Sequence, residues 1–242
     1  MTETVTIDRG FRGPPESGQG GYSCGLLGAR LGPGAEVSLR LPPPLERPLE
    51  LVEVDGGNEL RDGDALVAAG RRFELQLDVP APPAAEQADA ASARCPWIER
   101  HPFPMCFACG PDRHPPDALR IIMGPLEAGR ELFGATWTPD PGLAGEDGIV
   151  PPEIVWAALD CPTAAPAVPA DAPASVLARM RARLGEPVRA GETHVVTSWL
   201  RGHDGRKHLG ACAIQGPDGR VRAYSEGLWI ELRDPRTHGA ET

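Results

Sequence analysis

The chain has 242 residues, and 34 acidic side chains against 24 basic ones give it a formal net charge of −10. That balance argues against nucleic acid or an anionic membrane as the main partner, and no apolar run reaches membrane-spanning length. The hydrophobic share of 41% supports one large domain or two small ones, while six cysteines are too few for a disulfide scaffold at this length.

The start, MTETVTIDRG, is polar and lacks the apolar core of a secretion signal, so reduced thiols in a cytoplasm are expected. A Gly- and Pro-rich loop over 11–21 leads into a helix predicted for 22–31, stopped by Gly32 and Pro33. Gly25, Gly28 and Ala29 on that helix would let another backbone come close. Strands are predicted near 37–41, 49–54 and 65–69, with a turn at Asp55–Asn58, and Phe73, Leu75, Leu77 and Val79 alternate with polar residues as a strand would. Residues 80–94 form a featureless Pro/Ala-rich bridge.

The second half repeats the plan. Strand-like runs at 119–123 and 130–137 precede a loop and a second helix. Further strands are predicted near 175–184, 194–200, 207–215 and 221–232, the last three joined by DG turns as a meander. An early segment, one helix and then antiparallel strands in each half imply an α+β fold. The expected division is a first half at 1–80, a linker at 81–94 and a second half at 95–242.

The second helix, in VPPEIVWAALDCP (150–162), is the most informative stretch. Proline is tolerated in a first helical turn, and Glu153 suits that turn electrostatically. Asp160 is a lone carboxylate among Ile154, Val155, Trp156, Ala157, Ala158 and Leu159. It is either a helix-end residue turned to solvent or a group placed for chemistry.

CFACGPDRHPPDALRI (106–121) resembles the opening of hotdog-fold thioesterases of the 4-hydroxybenzoyl-CoA and phenylacetate-pathway kind. The chain is also similar to actinobacterial thioesterase-like proteins. The family has an HGG helix start with a carboxylate about two turns later. Here Pro151, Pro152 and Glu153 stand at the HGG positions before Asp160. In the first half Gly20 and Gly21 open the helix, but Gly28 stands where the acid would be. The resemblance therefore implies a double hotdog, with two antiparallel sheets each wrapped around one central helix.

It further implies an acyl-CoA or acyl-carrier thioester hydrolase with one site between the halves. Asp160 would be the catalytic base or nucleophile. Gly20, Gly21 and Tyr22 would supply oxyanion donors at a helix start, with Glu153 and Trp156 beside them. A non-hydrolytic acyl-thioester binding or regulatory module on the same fold is the alternative. Arg201, Arg206 and Lys207, and also Arg220 and Arg222, are candidates for the CoA phosphates, though ordinary turn charges look the same. Further association into a homodimer is compatible with this plan.

HPFPMCFACGPDRH offers Cys106, Cys109, His101 and His114 as zinc-type donors. Only one CxxC exists, however, and no second ligand pair follows at finger-like spacing, so neither metal nor cofactor is expected. No GxSxG supports a serine hydrolase, and SxGxGG (17–21) lacks the GK[ST] of a phosphate loop. His194 and His208 fit strand hydrogen bonding better than catalysis.

Overall fold

The computed structural model describes residues 2–126 and 132–234. The first half holds strands β1 (Thr2–Thr6), β2 (Gly34–Leu39), β3 (Pro48–Val54), β4 (Gly57–Asp62) and β5 (Ala65–Arg72), with helix α1 (Gly20–Leu31) before β2. Helix α2 (Ala85–Ser92) follows, then β6 (Gly124–Pro125), β7 (Leu132–Trp137) and helix α3 (Pro152–Ala164). Strands β8 (Ser175–Leu184), β9 (His194–Asp204), β10 (Lys207–Gln215) and β11 (Val221–Glu231) complete the chain. Among the described residues no helix is long and apolar enough to cross a membrane.

All eleven strands form one antiparallel sheet, in the order β1-β3-β4-β5-β2-β8-β11-β10-β9-β7-β6. This corrects the expectation of two separate sheets. The seam is β2 against β8, where Glu36 stands opposite Arg181 and Val37 opposite Met180. Glu36 also faces Arg71 across β5, so one carboxylate binds guanidinium groups from both neighbouring strands. Burial pushes the Glu36 carboxyl up, but bonds from Arg181 and Arg71 outweigh it and hold it below the usual range.

Both long helices lie against this sheet and against each other. The α1 surface toward α3 is built from glycine. A Cβ at Gly25 would sit 2.6 Å from the Glu153 Cα, and one at Gly28 would sit 2.6 Å from Cε2 of Trp156. Trp156, Leu27, Leu159, Met180 and Ile214 are fully buried in the resulting core. Ser225 Oγ donates to the Leu159 carbonyl at 3.0 Å and Trp229 Nε1 donates to Thr163 Oγ1 at 2.8 Å, which fixes the end of α3 on β11.

Several elements depart from the sequence expectation. β1 and β4 join the sheet although neither was expected. The bridge over 80–94 contains α2, whose Ala88 and Ala91 are buried. Residues 119–123 form no strand, and the first two residues of the 130–137 strand lie outside the described residues. The alternating run from Phe73 to Val79 forms no strand. Leu77 and Val79 instead pack on Trp199, Ala211 and Ala213, while Tyr224 Oη donates to the Leu75 carbonyl at 2.9 Å.

Candidate functional site

Asp160 is 1% exposed, in the last turns of α3, and faces the start of α1. Its Oδ2 accepts the Gly21 N–H at 2.7 Å and the Gln19 side-chain amide at 2.5 Å. Gln19 is the N-cap of α1, and its Oε1 accepts the Tyr22 N–H at 2.6 Å. One glutamine thus satisfies an orphan helix donor and holds the acid of the other half. The contact requires glycine, since a Cβ at Gly21 would stand 2.5 Å from the Trp156 carbonyl and on top of the Asp160 Cβ.

Asp160 Oδ1 has no hydrogen-bond partner among the described residues. Burial pushes the carboxyl up to about 8, the Gly21 N–H pulls against that, and the Cys106 sulfur adds to it. Asp160 and Gly20 both line a cavity of about 370 Å³. The wall is mainly apolar, with Ile121, Met123, Leu177, Val168 and Trp229 among its members. Leu41 and Ile98, both on this wall, are 46% and 40% exposed and place apolar surface at the opening.

Four thiols line the cavity, and three of them, Cys106, Cys109 and Cys161, cluster together. Cys106 and Cys109 come from a turn in which the Gly110 N–H donates to the Cys106 carbonyl at 2.9 Å. That turn docks on the first half through the Phe107 N–H, which donates to the Arg12 carbonyl at 2.8 Å. Cys161, next to Asp160 on α3, brings its sulfur to 3.8 Å from that of Cys106. Hydrogen bonds from the Cys109 and Cys161 thiols hold Cys106 well below the usual thiol range, with burial opposing them. Burial pushes the nearby His101 down.

The other expected site residues fall elsewhere. The Gly21 and Tyr22 amides are committed to Asp160 and Gln19, leaving Gly20 as the glycine of that start on the cavity wall. The Tyr22 ring stacks on Phe11, with centroids 4.1 Å apart, and burial, then Glu153 and Asp8, push its hydroxyl up to about 12. Glu153 and Trp156 pack on Gly25 and Gly28 and are not part of the cavity wall. Arg201 lies 3.7 Å from Glu226, and Arg206 donates to the Glu231 carbonyl. Arg220 and Arg222 pair with Glu186, and Arg222 also with Asp218. None of these cations, nor Lys207, lines the cavity; the arginine that does is the exposed Arg40.

No family model and no curated protein matches the chain. Solved structures do. The TesB protein of Mycobacterium avium subsp. paratuberculosis is 12% identical, with 95% of this chain and 92% of that one covered at a TM-score of 0.60. The acyl-CoA thioesterase II TesB2 from Mycobacterium marinum is 9% identical, with 82% and 79% covered at 0.51. A protein of unknown function with a hot dog fold from Alicyclobacillus acidocaldarius is 11% identical, with 96% and 94% covered at 0.55.

The chain has the hotdog fold.

Within this hotdog chain the two helix starts are unequal. α1 opens on Gly20 and Gly21 behind a glutamine cap, whereas α3 opens on Pro151 and Pro152 with no side-chain cap. Gln19 and Cys161 went unrecognised in the sequence. A glutamine before a GG helix start could have been read as a cap, but Cys161 carries no local signal, since its partner Cys106 lies 55 residues away.

Proposed function

We propose that the chain is a double hotdog, with halves at 1–80 and 95–242 bridged by 81–94, that hydrolyses an acyl thioester at one site between them. The observation that carries this reading is the Asp160 carboxylate, clamped through one oxygen by Gln19 and Gly21 and unpartnered at the other, in the wall of an apolar cavity. Oδ1 would take a proton from a water attacking the thioester carbon, or attack that carbon itself. Collapse of the tetrahedral adduct releases the thiol and, finally, the carboxylic acid. The first amide of α1, on Gly20, has no intrahelical acceptor and borders the cavity, so it suits the developing oxyanion.

Acyl-CoA is the favoured substrate class, because the fold relative from Mycobacterium marinum is named an acyl-CoA thioesterase II. The apolar wall suits an acyl chain, and Arg40 at the cavity suits a phosphate of the carrier. A carrier-protein thioester would use the same chemistry.

One observation favours the non-hydrolytic binding module instead: the Gly21 and Tyr22 amides are consumed inside the protein. A panel of acyl-CoAs with a thiol reagent separates the readings. Hydrolysis gives turnover that falls at least ~100-fold in Asp160→Asn, which keeps the side-chain shape while removing the base. Saturable binding with no thiol release from the wild type refutes the hydrolase and establishes the module.

A further inference from the structure

Cys106, Cys109 and Cys161 serve no purpose in the hydrolytic reading, yet all three border the same cavity. Their sulfur atoms lie within 4.8 Å of one another. All six cysteines are free thiols, so no disulfide accounts for the cluster. A tetrahedral zinc ion with Zn–S bonds of about 2.3 Å sets its sulfurs about 3.8 Å apart. The Cys106 and Cys161 sulfurs stand at 3.8 Å.

The surroundings are those of thiolate ligands. The Cys109 backbone N–H is directed at the Cys106 sulfur, and the Gln19 amide lies 3.6 Å from the Cys161 sulfur. Such outer donors orient and stabilise bound thiolates. Cys106 and Cys109 are held on a tight turn, because a Cβ at Gly110 would sit 2.6 Å from both the Cys106 nitrogen and its carbonyl oxygen. Cys161 is held by α3. Two rigid elements therefore converge on one point without needing to move.

We propose that Cys106, Cys109 and Cys161 bind a zinc ion, or another soft divalent metal, with the fourth position directed to the cavity. Three thiolates select zinc over magnesium or calcium, which prefer oxygen. Binding releases the thiol protons and ties the CFACG turn of the loop to α3. The site is separate from the hydrolytic reading and stands or falls on metal content.

The full-length chain, purified under reducing conditions without chelator, is assayed for metal by mass spectrometry. Stoichiometric zinc is expected in the wild type and in Cys95→Ser, which removes a cavity thiol outside the cluster. Loss is expected in Cys109→Ser and Cys161→Ser. Reduced apoprotein of the wild type is also titrated with cobalt, so the result does not depend on the variants folding. A saturating thiolate-to-cobalt charge-transfer band, displaced by zinc, supports the site. Failure of the reduced wild type to take up either metal overturns it, as does full cobalt binding by Cys161→Ser. Isolation of a Cys106–Cys109 disulfide whose reduced form takes up no cobalt also overturns it and leaves a redox pair.

Discussion

Replacing Gly25 with alanine tests how tightly the helix crossing is coupled to the site. In an exposed helix this change stabilises by about 1 kcal/mol, because alanine is the better helix former. Here the new methyl would meet the Glu153 Cα at 2.6 Å and the Trp156 Cβ at 2.9 Å. Carbon atoms rest about 3.5–4.0 Å apart, so α1 and α3 must separate by about 1 Å. The contact at Glu153 is backbone and cannot rotate away. Overpacking of this kind costs roughly 1–3 kcal/mol, which exceeds the propensity gain. A net loss of about 1 kcal/mol lowers Tm by ~2–4 °C for a chain of this size. The same separation would stretch the 2.7 Å bond from Gly21 to Asp160 beyond the range of a good hydrogen bond, about 3.2 Å. Calorimetry and the thiol-release assay should therefore fall together, although residue 25 is not part of the cavity wall. A Tm that rises by a few degrees with unchanged turnover would refute the packing argument.

Gln19→Glu keeps an acceptor for the Tyr22 N–H but sets a second buried carboxyl against Asp160 in place of the donor, so Tm should fall and kcat should fall about 10-fold or more, the size expected for losing a hydrogen bond to a charged group. Glu36→Gln takes the carboxylate partner from Arg71 and leaves Arg181 only Glu226, and should cost about 1 kcal/mol at neutral pH in urea melts. Because the folded Glu36 pKa is depressed, its charge stabilises fully above the unfolded value near ~4.3 and that advantage is lost as pH falls through the folded value. The gap between variant and wild type should therefore narrow as pH falls through the folded value, and a gap that stays constant for as long as the chain remains folded in acid would show that shape rather than charge matters. Ile98→Asp at the cavity opening should raise KM for long-chain acyl-CoA about 10-fold with little effect on kcat, the signature of lost uniform binding.

The helices and the C-terminal meander were legible because their signals are local. The Gly32–Pro33 stop marks α1, the Pro–Pro start before an apolar run marks α3, and DG turns set the hairpins β9–β10 and β10–β11. Two kinds of feature escaped. β1 and β4 are short and polar, TETVT and GNELRD, and become strands because neighbours pair with them, β3 for β1 and both β3 and β5 for β4. The stretch from Phe73 to Val79 alternates for a different reason: outside any strand, it buries Leu75 and turns Leu77 and Val79 onto the sheet while Glu74, Gln76 and Asp78 stay exposed. Phe73 lies beneath the Arg71 and Arg181 guanidinium groups. The seam joining the halves could not be read, since β2 and β8 are far apart in sequence and their match rests on charges at Glu36, Arg71 and Arg181. At the site, Asp160 stood out as an acid in an apolar helix. Its partners did not, because Gln19 and the cysteines acquire meaning only when the halves are brought together.

The indole of Trp156 has a consequence for engineering. It fills the space that Gly28 leaves open, at the place where the opposite pairing of helix and acid would have to work. An aspartate introduced at position 28 would therefore meet an aromatic ring rather than a chamber, behind a helix whose leading prolines have few amides to offer. A matched second centre would require rebuilding both faces at once.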